Sequence, residues 1–311
     1  MENNNNNQQN NDNNVWQPES NDNWANIANI NNAPDPVENR PRRLTVRNII
    51  LLVIVAIAAV TLADIAWSRI GIGRGDSFTS VEFSTGDVSN IDVSLVNTMI
   101  NVETHNGNNV LVVFNPPSRG RYNAPRYDHN AATGRLRVYE PRSNRRFGLF
   151  NFNIGVVGQA NLTIYVPNNA NFNNVNLRTT NGRVTVEGGG VRLSSEINIR
   201  TTNGALDARN FSADNLYMQT TNGAVSLTNV DAARDVTARS TNGRVGASGI
   251  DARNLTLRTT NGALTLDDST IEDVLVARTT NGAITINNVA ADANRAEIRT
   301  TNGRETINWA R

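Results

Sequence analysis

From residue 173 onward, apolar and polar residues alternate on both sides of a recurring Asn-Gly. The dipeptide stands at Asn181-Gly182, Asn203-Gly204, Asn222-Gly223, Asn242-Gly243, Asn261-Gly262, Asn281-Gly282 and Asn302-Gly303. Successive copies are 22, 19, 20, 19, 20 and 21 residues apart. Six residues before each Asn stand Val175, Ile197, Leu216, Val236, Leu255, Leu275 and Ala296, and four before stand Leu177, Ile199, Met218, Ala238, Leu257, Ala277 and Ile298. Three residues after it come Val184, Leu206, Val225, Val245, Leu264 and Ile284; five after come Val186, Ala208, Leu227, Ala247, Leu266, Ile286 and Ile307. This period of two is the pattern of half-buried strands, and no repeat keeps a helical period.

Asn-Gly has two readings here. In a two-residue hairpin it supplies two positive φ values and joins strands that pair with each other. In a solenoid it forms a corner, and each strand pairs with its copy one coil later. The near-constant step and the shared in/out register favour the second, because a slip by one residue would turn a whole strand inside out. The expected fold is therefore all-β, a β-solenoid of about 20-residue coils. The corner Asn side chains are expected to stack and bond one another, as in other stacked β structures.

The rest of the chain divides by composition. Residues 1–44 hold fifteen Asn in their first 32 positions and read as a disordered cytoplasmic tail. Residues 45–68 are apolar enough and long enough for one transmembrane helix. Within it Ile49 through Ala63 is apolar except for Thr61; Arg40, Arg42, Arg43 and Arg47 precede that run, while Asp64, Arg69 and Arg74 follow it, so the N-terminus is expected inside and the rest outside. An uncleaved signal anchor fits better than a secretory leader, whose n-region is shorter. Residues 69–78 read as a Gly-rich linker, and its Arg74-Gly75-Asp76 is a chance-level match to a receptor tripeptide. Residues 79–172 read as an irregular β region that starts and caps the solenoid, with Asn106-Gly107 as an early corner and long loops at 116–134 and 141–158.

The order of motifs resembles a known family. "INVETHNGNNVLVV", then "GRLRVYE", then "LTIYVPNNANFNNVNLRTTNGRVTVEG", then tandem "TTNG" coils, is similar to the bacterial candidate-adhesin β-strand-repeat family, itself related to toast-rack type envelope domains. The resemblance covers roughly residues 80–311. It implies a surface or envelope protein, and it carries over no catalytic residues. The Asn-rich tail and the anchor are not part of the shared domain.

Chemistry narrows the choice further. The net charge of +1 gives no argument for nucleic acid. All 29 basic residues are Arg, so Lys chemistry is absent, and with no Cys there is neither disulfide nor thiol nucleophile. Two His, His105 and His129, are too few for a His-rich metal site. No phosphate loop, dinucleotide fingerprint or calcium nonapeptide is present, so no cofactor is expected.

Three positions before each corner Asn stand Arg178, Arg200, Gln219, Arg239, Arg258, Arg278 and Arg299. One position before stands Thr in every copy, from Thr180 to Thr301, and two before stands Thr or Ser. The alternation turns the first two columns outward and the third inward, where its hydroxyls would bond the corner backbone. One face should thus carry an Arg ladder beside a Thr ladder. Like charges one strand apart repel, unless nearby Asp and Glu pair with them or an anion binds. Guanidinium forks suit phosphate and carboxylate, which makes the six Arg a candidate site for anionic envelope or host glycans, or for another envelope protein.

A non-enzymatic surface module, adhesin, scaffold or sensor, accounts for these features best. A polysaccharide-active β-helix enzyme needs converging carboxylates, and the nearest cluster, Asp267, Asp268, Glu272 and Asp273, falls in a corner loop. An ice-binding face needs a flat Thr array, which the Arg column spoils. Open solenoid ends invite self-association. Glu305, standing where earlier coils have Val, Leu or Ile, is expected to blunt the last edge, and Trp309 to cover the core.

Overall fold

The computed structural model describes residues 78–117, 123–141 and 159–311. The expected tail, membrane span and all but the last residue of the linker lie outside the described residues, as does most of the second long loop. Among the described residues no helix is long and apolar enough to cross a membrane.

Among the described residues sixteen strands form one continuous sheet. In chain order they are β1 (Ser80–Ser84), β2 (Asn90–Ser94), β3 (Thr98–His105), β4 (Asn109–Asn115), β5 (Arg126–Asn130), β6 (Arg135–Tyr139), β7 (Ala160–Pro167) and β8 (Phe172–Arg178). The repeats follow as β9 (Val184–Arg200), β10 (Leu206–Gln219), β11 (Val225–Arg239), β12 (Val245–Arg258), β13 (Leu264–Thr279), β14 (Ile284–Ala291), β15 (Ala296–Thr300) and β16 (Glu305–Trp309).

From β8 onward every pairing is parallel and one coil apart. Val184 faces Leu206, Leu206 faces Val225, Val225 faces Val245, Val245 faces Leu264, Leu264 faces Ile284 and Ile284 faces Glu305. The solenoid reading holds, with about seven coils, and no repeat Asn-Gly joins antiparallel partners.

Each coil turns its apolar columns inward. In the coil of β10, Leu206, Ala208, Phe211, Ala213, Leu216 and Met218 are all buried. A fully buried Leu or Phe contributes about 1.5–3 kcal/mol, so the core is built coil by coil.

Two corners separate the runs of each coil. At the first, the Asn ladder forms as expected: the Nδ2 of Asn203, Asn222, Asn242, Asn261, Asn281 and Asn302 each donates to the Oδ1 of the Asn one coil earlier, at 2.6–2.8 Å. The inward hydroxyls also behave as expected. Thr201, Thr220, Ser240, Thr259, Thr279 and Thr300 donate to the carbonyl of the preceding coil's corner Gly, at 2.8–3.1 Å.

The second corner was not anticipated. It is made by left-handed residues at Asn210, Asn229, Gly249, Asp268 and Asn288, with φ between 48° and 63°. The long repeat strands run straight through it. Its signal was a column of Asn, Asp and Gly seven residues after each corner Asn, hidden because it lies inside the apolar alternation.

The early region corrects two expectations. Asn106 does not start the Asn ladder; Asn181 Nδ2 donates instead to Asn97 Oδ1. Asn97 sits in a complete coil pattern, with Ile91 and Val93 before it and Ile100 and Val102 after it, all buried. Thr98 in place of Gly concealed it. Likewise the stretch 116–134 is not all loop, since β5 pairs antiparallel with β6. Beyond β3 the sheet continues through β7 and β4 to β1, and the β7–β4 and β4–β1 pairs are antiparallel.

At the last coil, Trp309 packs partly buried against the core and faces Val289. Glu305 is exposed, and its carboxylate accepts the Thr300 N–H at 2.8 Å.

Candidate functional site

Strand registry brings the six predicted Arg into one row. Arg178 faces Arg200, which faces Gln219; Gln219 faces Arg239, then come Arg258, Arg278 and Arg299. The row continues in the other direction from Arg178 to Ser94, Tyr139 and Arg126. Arg126 is thus a seventh member. Sequence reasoning missed it because its strand, β5, joins the sheet by non-local antiparallel pairing and carries no repeat signature. Ten strands at about 4.8 Å each make the row roughly 43 Å long.

A groove of about 430 Å³ runs along the later part of the row, between Arg239, Arg258, Arg278 and Arg299 on one side and Thr241, Thr260, Thr280 and Thr301 on the other. A second hollow of about 410 Å³ lies over Arg137, Arg178 and Arg200. The inward turn of the Thr and Ser column leaves the Thr hydroxyls next to the corner free to line the groove.

The electrostatics of the row are unusual for a solvated face. Seven Arg on adjacent or near-adjacent strands repel one another. Three have compensating partners: Arg200 lies 4.9 Å above the Tyr217 ring, Arg239 lies 6.0 Å from it, and Arg278 pairs with Glu297. Other carboxylates pair away from the row, as in Arg135–Asp92 at 2.6 Å and Arg192–Asp214 at 2.8 Å. The Nε–H groups of Arg200, Arg239, Arg258 and Arg278 are buried against the sheet and donate to nothing. Arg stems therefore cover the sheet while these Nε donors stay unused, and a buried donor without a partner costs about 1–3 kcal/mol.

The acidic cluster takes structural roles. Asp267 Oδ1 accepts from Asn287 Nδ2 at 2.8 Å, and Asp268 Oδ1 accepts from Asn288 Nδ2 at 2.7 Å. Asp273 pairs with Arg295 and lies 3.7 Å from Arg253. Among the described residues no group of His, Asp and Glu is arranged to hold a metal ion.

A parallel β-solenoid with a basic ladder on one outer face is the class that fold and site define. The chain belongs to the Toastrack DUF4097 family, whose model matches residues 88–309. Two solved structures are similar in fold. One is a candidate adhesin from Bacteroides fragilis NCTC 9343, 16% identical, with a TM-score of 0.47, covering 77% of this chain and 100% of its own. The other is a candidate cell adhesion protein from Clostridium sporogenes ATCC 15579, 9% identical, with a TM-score of 0.32, covering 74% of this chain and 97% of its own. No curated protein matches the chain.

Proposed function

We propose that this protein is a non-enzymatic, single-pass membrane protein with a cytoplasmic N-terminus that displays the solenoid outside the cell as an adhesion-type module. Its ligand is a linear anionic glycan of the envelope or of a host, laid along the Arg row. The apolar span at 45–68 and the Arg excess before it support the anchor and its orientation.

The observation that carries the binding role is the row of Arg with unused buried Nε donors beside an exposed Thr column. Carboxylate, sulfate and phosphate accept paired guanidinium N–H groups, and Thr hydroxyls donate to sugar oxygens. From Arg239 to Arg299 one Arg per strand also places a positive charge at about the length of one extended sugar residue, so a charged polymer can meet successive coils in register.

The test uses the purified full-length chain on an array of bacterial and host glycans, against a variant carrying Arg239→Gln, Arg258→Gln and Arg278→Gln. Circular dichroism checks that both fold. Wild type should bind anionic glycans and the variant should lose at least tenfold in affinity. Binding that is equal in both, or absent from wild type, overturns the reading.

A further inference from the structure

Asn106-Gly107 lies in the connection between β3 and β4, outside the corner ladder. Its surroundings differ from those of every repeat Asn-Gly. The His105 ring folds over the connection: Nε2 lies 2.8 Å from the Asn109 carbonyl oxygen, and the Gly107 N–H points at Nδ1 across 3.0 Å. A carbonyl only accepts, so Nε2 carries the ring proton. A backbone N–H only donates, so Nδ1 presents its lone pair to Gly107. Both contacts fix the same tautomer.

From the other side, Asn168 Nδ2 donates to Asn106 Oδ1 at 2.6 Å. Asn168 is itself held by its backbone N–H on the His105 carbonyl at 2.9 Å. The site thus holds a backbone nitrogen with a base on its proton, next to a side-chain amide whose oxygen is polarised by a donor. Asn106 and Gly107 are exposed, so water reaches them.

We propose that Asn106-Gly107 is a self-modification site, at which the chain converts Asn106 to aspartyl and isoaspartyl linkages through a cyclic imide. Gly107 N attacks Asn106 Cγ while His105 Nδ1 takes its proton. The Cγ–Nδ2 bond breaks, and the departing nitrogen receives that proton and leaves as ammonia. Water then opens the imide at either carbonyl. The product gains a negative charge, and its isoaspartyl form adds one carbon to the main chain between β3 and β4.

The repeat corners are built against this reaction. The N–H of Gly204, Gly223, Gly243 and Gly262 donates to a Thr or Ser hydroxyl, which is no base at neutral pH. Their Asn amides are tied on both sides into the ladder. Among the described residues Asn106 Nδ2, the leaving group, bonds nothing.

The full-length chain, incubated at neutral pH and mapped by peptide mass spectrometry, should show conversion at Asn106 well before any of the seven corner Asn. His105→Gln keeps an acceptor but removes the base, and should slow conversion roughly tenfold; hydroxide still supplies part of the usual general-base gain. Conversion in His105→Gln should depend more steeply on hydroxide concentration than conversion in wild type. The titratable groups near the ring are Glu103 on its own strand, Tyr165 edge-on from β7 at 6.4 Å, and Glu82 on β1, which accepts from Asn109. Conversion at Asn106 no faster than at the corners, or unchanged in His105→Gln, overturns the proposal.

Discussion

The repeated Thr-Thr-Asn-Gly resolves into separate tasks, one per residue. The inward Thr ties two coils together, the outward Thr faces the groove, and Asn extends the ladder. Gly is required by contact rather than by torsion: the corner glycines are not among the positive-φ residues, but a Cβ on Gly262 would overlap the Gly243 carbonyl, and the same holds up the column. Gly262→Ala should therefore force the coils apart and destabilise the protein by about 1–3 kcal/mol. Thr259→Val keeps the shape but removes the hydroxyl that donates to Gly243 O at 2.8 Å and accepts from Gly262 N at 3.3 Å. It leaves both groups unpaired in a part-buried corner, so a loss of about 1–3 kcal/mol is expected. Urea unfolding of the two variants checks both; a midpoint unchanged in either removes that residue from the account.

Among the elements, the repeat strands were legible with their pairing, whereas in the earlier region the alternation at 83–114, 134–142 and 160–172 marked strands but not their partners. Parallel coils copy one register, so each column of Val, Leu and Ile reinforced the next. The β1–β7 region pairs across distant stretches; nothing local marks β5, and Thr98 in place of Gly hid the corner at Asn97. The second corner hid because left-handed Asn and Asp fit inside a strand-like alternation. Gly249 breaks that corner's column, between Asn229, which bonds Asn210 at 3.1 Å, and Asp268. Gly249→Ala should lower stability by about 1–2 kcal/mol, since the left-handed φ of 63° disfavours a Cβ and that Cβ would meet Asn229 Oδ1 at 2.5 Å; a higher melting temperature would contradict it. Tyr165 on β7 gives a pH signature. Burial, and after it the nearby Glu103 charge, push its phenol above the usual value near 10. A folded pKa raised above the unfolded one gives stability that is full below the unfolded value and lost as pH climbs through the folded one. Wild type should lose stability above about pH 10, and Tyr165→Phe should lose less in that window, as denaturation at stepped alkaline pH would show.

At the scale of the whole molecule, the solenoid turns a column of Arg, interrupted at Gln219, into a linear array. The six Arg were legible in the sequence because the repeat displays them in one column. That four of them keep a buried Nε without a partner was not, since the composition near the repeats offers almost as many acids as bases and only the structure shows where acids such as Glu187, Asp214 and Asp273 pair. The array makes a prediction that a single pocket would not. If charges along a polymer meet successive Arg, affinity should climb with oligomer length until the row is covered, and then level off. Each ion pair releases a counterion, so the logarithm of the association constant should fall linearly with the logarithm of salt concentration, with a slope set by the number of Arg engaged. Replacing Arg258 alone, a member of the row without an ion pair or ring partner, should lower that slope by up to about 0.9. Its loss should weaken long oligomers and leave the shortest, which can seat elsewhere on the row, nearly unaffected. Isothermal titration across an oligomer series at three salt concentrations measures both trends. A length-independent affinity would point to one discrete pocket, and a salt-independent one would remove the guanidinium row from recognition altogether.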